Sequence, residues 1–137
     1  MKKLILSILL VAGSVLGTKA TIHAVTISGF TFSPSTVNAA VGDTVAWVIT
    51  GSHTATEVDN ATWTADGTTP LTGGFNFNIS HTAAATSWIQ VTAVGTRYYV
   101  CQVHVGTMSM KGRILVGPSS IDEQDSDISI NLYPNPA

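Results

Sequence analysis

A chain of 137 residues has room for one ordinary domain with a proper core and not for two. Its formal charge of −2 arises from six Lys and Arg against eight Asp and Glu, with no basic patch, which excludes nucleic acid as a partner. A single cysteine excludes an internal disulfide framework.

The chain opens with "MKK", an apolar run "LILSILLVAGSVLG" and the small-residue stretch "TKA". That three-part order is the pattern of a secretory signal peptide over residues 1–20, with the cut expected after Ala20. The apolar run is fourteen residues long, short of the roughly 20 a membrane helix needs, so no membrane span is expected after cleavage. Cleavage removes Lys2, Lys3 and Lys19 and leaves Arg97, Lys111 and Arg113 against eight carboxylates, a net −5. Export also exposes the thiol of Cys101 to an oxidising compartment, where an unpaired cysteine is a liability unless something protects it.

From residue 21 to 117 the texture is Thr, Val, Ala and Gly, and apolar residues often alternate with polar ones. "HAVTISGFTFSP", "DTVAWVIT", "GFNFNIS", "SWIQVTAV", "RYYVCQV" and "GRILVG" read as strands. Turn signals separate them: "SPS" with Pro34, "VGD", "GS", "ADGTTP", "TGG" and "VGT". Only "STVNAA" has any helical character, enough for one turn. The expected fold is all-β, an antiparallel Greek-key sandwich or barrel. Glu57, Asp59 and Asp66 show no paired spacing and read as solvated loop residues, and Trp47, Trp63 and Trp88 read as packing residues. Beyond the domain, residues 118–127 carry Asp122, Glu123, Asp125 and Asp127 with nothing to bury, an acidic linker. Residues 128–137, "ISINLYPNPA", begin another apolar alternation.

The chemistry concentrates in "YYVCQVHVGTMSMKG", residues 98–112. A thiolate with imidazoles suits copper, zinc or iron, whereas calcium and magnesium take oxygen ligands. Cys101 and His104 are separated by two residues, so a tight loop leaving a strand turns both toward one centre. Met108 and Met110 follow, and a thioether is a soft ligand useful to copper, which tips the metal toward copper. One Cys, one His and one Met leave a ligand short, to be drawn from His23, His53 and His81. His23 and His81 read as exposed or hydrogen-bonded imidazoles; His53 sits in a loop after the strand "DTVAWVIT", able to face the Cys101 loop.

These residues resemble the cupredoxins, the small blue copper proteins, and within them the plastocyanin-like branch. The resemblance spans about residues 22–116. It is carried by "ISGFTFSPSTVNAAVGDTVAWVIT", with Phe30, Phe32, Pro34 and Val-Gly-Asp-x-Val-x-Trp, by the histidine loop after that strand, and by "GTRYYVCQVHVGTMSMKGRILV". It implies a type 1 copper ion bound by His53, Cys101, His104 and an axial methionine, with a backbone N–H near Thr54 or Gln102 donating to the sulfur. Relatives place two to four residues between the second histidine and that methionine. Here five separate His104 from Met110 and three separate it from Met108. Met110 leads directly into the strand "RILV" and is the expected ligand, with Met108 as the rival. Where relatives often have a tyrosine before the cysteine, this chain has Val100; Tyr99 is expected inward and Tyr98 outward.

The implied function is electron transfer, not catalysis, by a monomer whose redox partner proteins dock near His104 on an apolar patch with Val103, Val105 and Gly106. Four readings compete. A buried inert cysteine is one; a thiol nucleophile, for which no orienting group declares itself, is another. A copper enzyme of the multicopper-oxidase kind would need His-x-His pairs, and a binuclear electron-transfer centre a second cysteine; the chain has neither. Copper carriage or storage would favour clusters of one ligand type. The tail, in turn, resembles the opening of the C-terminal sorting domain of type IX secretion cargo, as though cut short at Ala137. Without it the expected location is periplasmic; with it, the cell surface or the medium.

Overall fold

The computed structural model describes residues 19–119. The leader up to residue 18, the acidic linker from residue 120 onward and the sorting-signal segment lie outside the described residues. Seven strands and two short helices follow in order. They are β1 (Ile22–Ser28), β2 (Thr31–Ser33), β3 (Thr36–Ala40), β4 (Thr44–Val58), α1 (Asn60–Thr64), β5 (Asn76–Gln90), β6 (Gly95–Val100), α2 (Val105–Met108) and β7 (Lys111–Gly117). No helix among the described residues is long and apolar enough to cross a membrane.

Hydrogen-bonded neighbours run β2-β1-β4-β6-β7-β3, with β5 joined to β4. The expected all-β sandwich is present, but its pairing is mixed. β1 runs parallel to β4, and β3 parallel to β7; β1–β2, β4–β5, β4–β6 and β6–β7 are antiparallel. The stretch "STVNAA" is strand β3, not a helical turn: Val37 and Ala39 alternate into the core, a period of two that a pairing partner in β7 rewards.

Strand β4 organises the molecule. Its first residues lie beside β1, nearly its whole length lies beside β5, and Thr56–Val58 lie beside β6. One strand thereby belongs to both walls of the sandwich. The register to β5 slips between Ile49 and Gly51, and Gly51 takes a positive φ of 74° there, a conformation glycine adopts without steric cost. The sequence places a loop at this point; a strand passes through it instead, because β5 and then β6 satisfy its backbone. The "SHTAAATSW" region likewise is strand, within β5.

The core is aromatic at its centre. Tyr99 packs edge-on against Phe32 at 4.9 Å and against Trp47 at 5.3 Å between ring centroids, locking β2, β4 and β6 together. Val25, Val45, Ile49, Ile114 and Val116 complete it. Tyr99 is buried and Tyr98 faces outward into a smaller cluster of Val58, Val100 and Val105, covered by Trp63 of α1. Trp47 and Trp63 are packing residues as expected, but Trp88 is 64% exposed on the outer face of β5.

The isolated acids are also better partnered than their spacing indicates. Glu57 is buried and receives Arg97 Nε at 2.7 Å and Nη2 at 2.6 Å. Asp59 caps α1 by accepting the Thr62 N–H, and Asp66 lies 2.8 Å from Lys111 Nζ. Asp43 is buried, and its pKa is held down to about 2, first by the Ala40 N–H, then by His23 and the Thr21 N–H. A carboxyl whose folded pKa lies below its unfolded value stabilises above the unfolded value and loses that contribution as pH falls through the folded one. The domain is therefore expected to lose about 2 kcal/mol between about pH 4 and pH 2 through this group alone. Urea midpoints compared across that window, with and without Asp43→Asn, check it: the variant has the shallower acid dependence.

Candidate metal centre

The cysteine loop is built by backbone hydrogen bonds before any metal is considered. Strand β6 ends at Val100, and the Cys101 carbonyl accepts from the His104 N–H at 3.1 Å and the Val105 N–H at 2.9 Å. That tight turn sets His104 beside Cys101. The single turn of α2 follows and ends at Ser109, whose φ of 49° reverses the chain. Met110 then returns to the start of the loop, its carbonyl accepting the Cys101 N–H at 2.9 Å.

His53 arrives from β4. Along the strand it has the parity of Trp47, Ile49 and Ala55, all buried, so its imidazole falls on the inward face at the end of the core. Cys101 Sγ lies 3.8 Å from His53 Nδ1 and 3.5 Å from His104 Nδ1. The three donor atoms all lie within 4.8 Å of one another, and among the described residues they form the one cluster of three His, Cys, Asp or Glu donors. A metal with bonds of about 2.0–2.1 Å to nitrogen and 2.3 Å to sulfur holds N and S roughly 3.6–3.8 Å apart at tetrahedral to trigonal angles. The residues fit a metal ion without rearrangement.

The surroundings favour the ligating forms. Burial lowers the pKa of His53, with the neighbouring His104 adding to the effect, so its lone pair is available in neutral solution. The Thr54 N–H donates to Cys101 Sγ at 3.4 Å, as the sequence leads one to expect. Gln102 does not share that role: its N–H donates to Thr54 Oγ1 at 2.8 Å instead. Thr54 thus grips the cysteine loop twice and leaves the sulfur one backbone donor from β4.

The two methionines have different surroundings. Met110 is fully buried in the same core cluster as Cys101, whereas Met108 is 53% exposed on α2. His23 is hydrogen-bonded to Asp43, 2.8 Å away, and takes no part in the cluster. His81 lies in β5 opposite Gly51, in a strand where a loop was expected.

Two features at the rim escape sequence reasoning. Phe30, half-exposed beside Gly29 in the β1–β2 turn, packs on the His104 ring at 4.9 Å and on the His53 ring at 6.2 Å. Nothing in its spacing from Cys101 announces that contact. Val105, expected on the surface near His104, is the fully buried first residue of α2 and packs with Val58 and Val100, while Val103 is exposed.

No protein-family model matches the chain, and no curated protein matches it in sequence. Solved structures do match in fold. An oxidized mutant of amicyanin aligns with a TM-score of 0.53 at 18% identity, over 69% of this chain and 81% of that one. A plastocyanin mutant of fern gives 0.52 at 18% identity, over 69% and 99%. A copper-containing nitrite reductase from Thermus scotoductus gives 0.50 at 25% identity, over 69% of this chain and 22% of that one. The resemblance read from the sequence thus holds at the level of architecture, and residues 19–119 have the cupredoxin fold.

Proposed function

We propose that the protein is an exported electron carrier built around one type 1 copper ion, held by His53, Cys101 and His104 with Met110 as the axial ligand. The observation that carries this reading is the convergence of Cys101 Sγ with two imidazole Nδ1 atoms at 3.5 and 3.8 Å. Copper bound there would supply one-electron chemistry between its +1 and +2 states. The chain's part is to hold the donors still. Cys101 is locked between the Thr54 N–H and the Met110 carbonyl, His53 is fixed by a strand paired on its β5 side, and His104 by a tight turn. Full burial of Met110 beside Cys101, against the exposure of Met108, supports Met110 as the axial donor.

Access supports the carrier reading. Cys101 and Met110 are sealed from water, and the cluster meets solvent through two partly exposed imidazoles, that of His53 and that of His104. Around His104 stand Phe30, Val103 and Met108, each roughly half-exposed and none charged. Redox partner proteins dock on that apolar rim, and the domain works as a monomer. Residues 1–20 direct export to the periplasm, and the Tyr-Pro-Asn-Pro segment is the opening of a type IX sorting domain, which where complete would carry the protein on to the cell surface or the medium.

The test is a visible spectrum of the purified chain with Cu(II). An intense thiolate-to-copper absorption is expected, lost in Cys101→Ser and in His53→Ala. A colourless protein that takes up no copper returns the domain to an inert sandwich with a buried thiol.

A further inference from the structure

Asp43 stands just ahead of β4, roughly 30 Å along that strand from the metal cluster. Its buried carboxylate ties three segments together. Oδ1 accepts the Thr21 N–H at 2.8 Å; Oδ2 accepts the Ala40 N–H at 2.9 Å and lies 2.8 Å from His23 Nε2. Thr21 is held from its other side as well, since its carbonyl accepts the Thr44 N–H at 2.9 Å. Residues 19–21 are nonetheless exposed, open to a peptidase.

We propose that Asp43 is the receptor for an α-ammonium group created at Thr21 when the leader is cut after Ala20, so that processing itself adds an ion pair to the fold. This rests on the export reading given under Proposed function. In the cut, water adds across the Ala20–Thr21 peptide bond. The C–N bond breaks, Ala20 leaves as a carboxylate, and the Thr21 nitrogen takes up a proton to become an ammonium with three hydrogens. Before the cut, that nitrogen gives the Asp43 carboxylate one hydrogen bond from an uncharged N–H. Afterwards both partners are charged, and the hydrogen bond becomes an ion pair. The register is specific. A cut after Lys19 leaves the ammonium one residue further out, and a cut after Thr21 removes the Oδ1 donor altogether and strands a buried oxygen. Each of the two carboxylate oxygens keeps its own partners, so the new charge displaces neither His23 nor Ala40. The unprocessed chain is consequently the less stable folder of the two.

The test compares residues 21–137 bearing a free Thr21 amino group, released from a fusion without extra residues, with the same chain acetylated at that nitrogen. Acetylation keeps the N–H and removes the charge, so the comparison depends on no side-chain variant folding. At pH 6 the free chain is expected to have an unfolding equilibrium constant roughly fivefold lower, the upper end for an ion pair with an exposed partner. The difference is expected to vanish in Asp43→Asn. Equal stability of free and acetylated chains, or an undiminished difference in Asp43→Asn, overturns the ion pair. Intact mass of the chain exported from a bacterium tests the leader separately. A start at Thr21 is expected, and any other start overturns the export register whatever the stability comparison gives.

Discussion

Gly112→Ala is expected to lower the stability of the domain by about 3 kcal/mol, the upper part of the range for overpacking a filled core. A β-carbon at Gly112 would collide with both Cζ and Oη of Tyr99, its partner across β6 and β7. Tyr99 cannot retreat, because Phe32, Trp47 and Phe75 pack around its fully buried ring. Moving β7 instead strains the hydrogen bond from Trp63 Nε1 to the Gly112 carbonyl. It also displaces Met110, two residues upstream, so a copper-loaded variant is expected to show a shifted spectrum as well as a lower urea midpoint. Gly117→Ala is the control: its nearest new neighbour is a carbonyl oxygen at 4.0 Å, and the midpoint should hold. Equal midpoints for both variants would show that the Tyr99 ring yields.

Arg97→Met is expected to cost about 2–3 kcal/mol, and Glu57→Gln about 1 kcal/mol, an asymmetry set by burial. Glu57 has a side chain only 5% exposed, whereas that of Arg97 is 30% exposed. Removing the arginine leaves a carboxylate in the interior with the Phe75 N–H as its remaining donor. Removing the acid leaves a guanidinium that water can still reach, and the glutamine amide oxygen can still accept from Phe75. The cost lies toward the lower end for a broken buried pair because the cation is partly wet. Denaturant unfolding of both single variants and of the double variant measures the asymmetry and the coupling. If the two single variants cost the same, burial does not govern the pair. The loop between α1 and β5 is also tied to Glu57, through the Leu71 N–H and the Phe75 carbonyl and N–H. Proteolysis of that loop is therefore expected to quicken in Arg97→Met.

Much of the sandwich and the heart of the cluster are legible in the sequence, for local reasons. Alternation in "DTVAWVIT" fixes which of its side chains face inward, and the Cys-x-x-His spacing is a turn that brings two donors together without help from elsewhere. What is hidden depends on partners distant in sequence. The second half of β4 reads as a loop because it contains Gly51, Ser52 and a row of polar residues. It is a strand because β5 and β6 take up its backbone groups on either side. Glu57 reads as solvated because Arg97, which neutralises it, is forty positions away. The parallel pairings of β1 with β4 and β3 with β7 leave no mark in any single segment. The different burial of Met108 and Met110 is hidden as well, because it is set by the return of the chain after Ser109 and not by loop length.

The hydrogen bond from the Cys101 N–H to the Met110 carbonyl closes the ligand loop at its own base. Between those two residues the chain is pinned twice more, by the Gln102 N–H on Thr54 and by Val105 packed with Val58 and Val100. A short packed loop of this kind does not follow the gentle logarithmic cost of a flexible one. A change of its length is therefore tolerated only where both inner anchors and the closing hydrogen bond survive together.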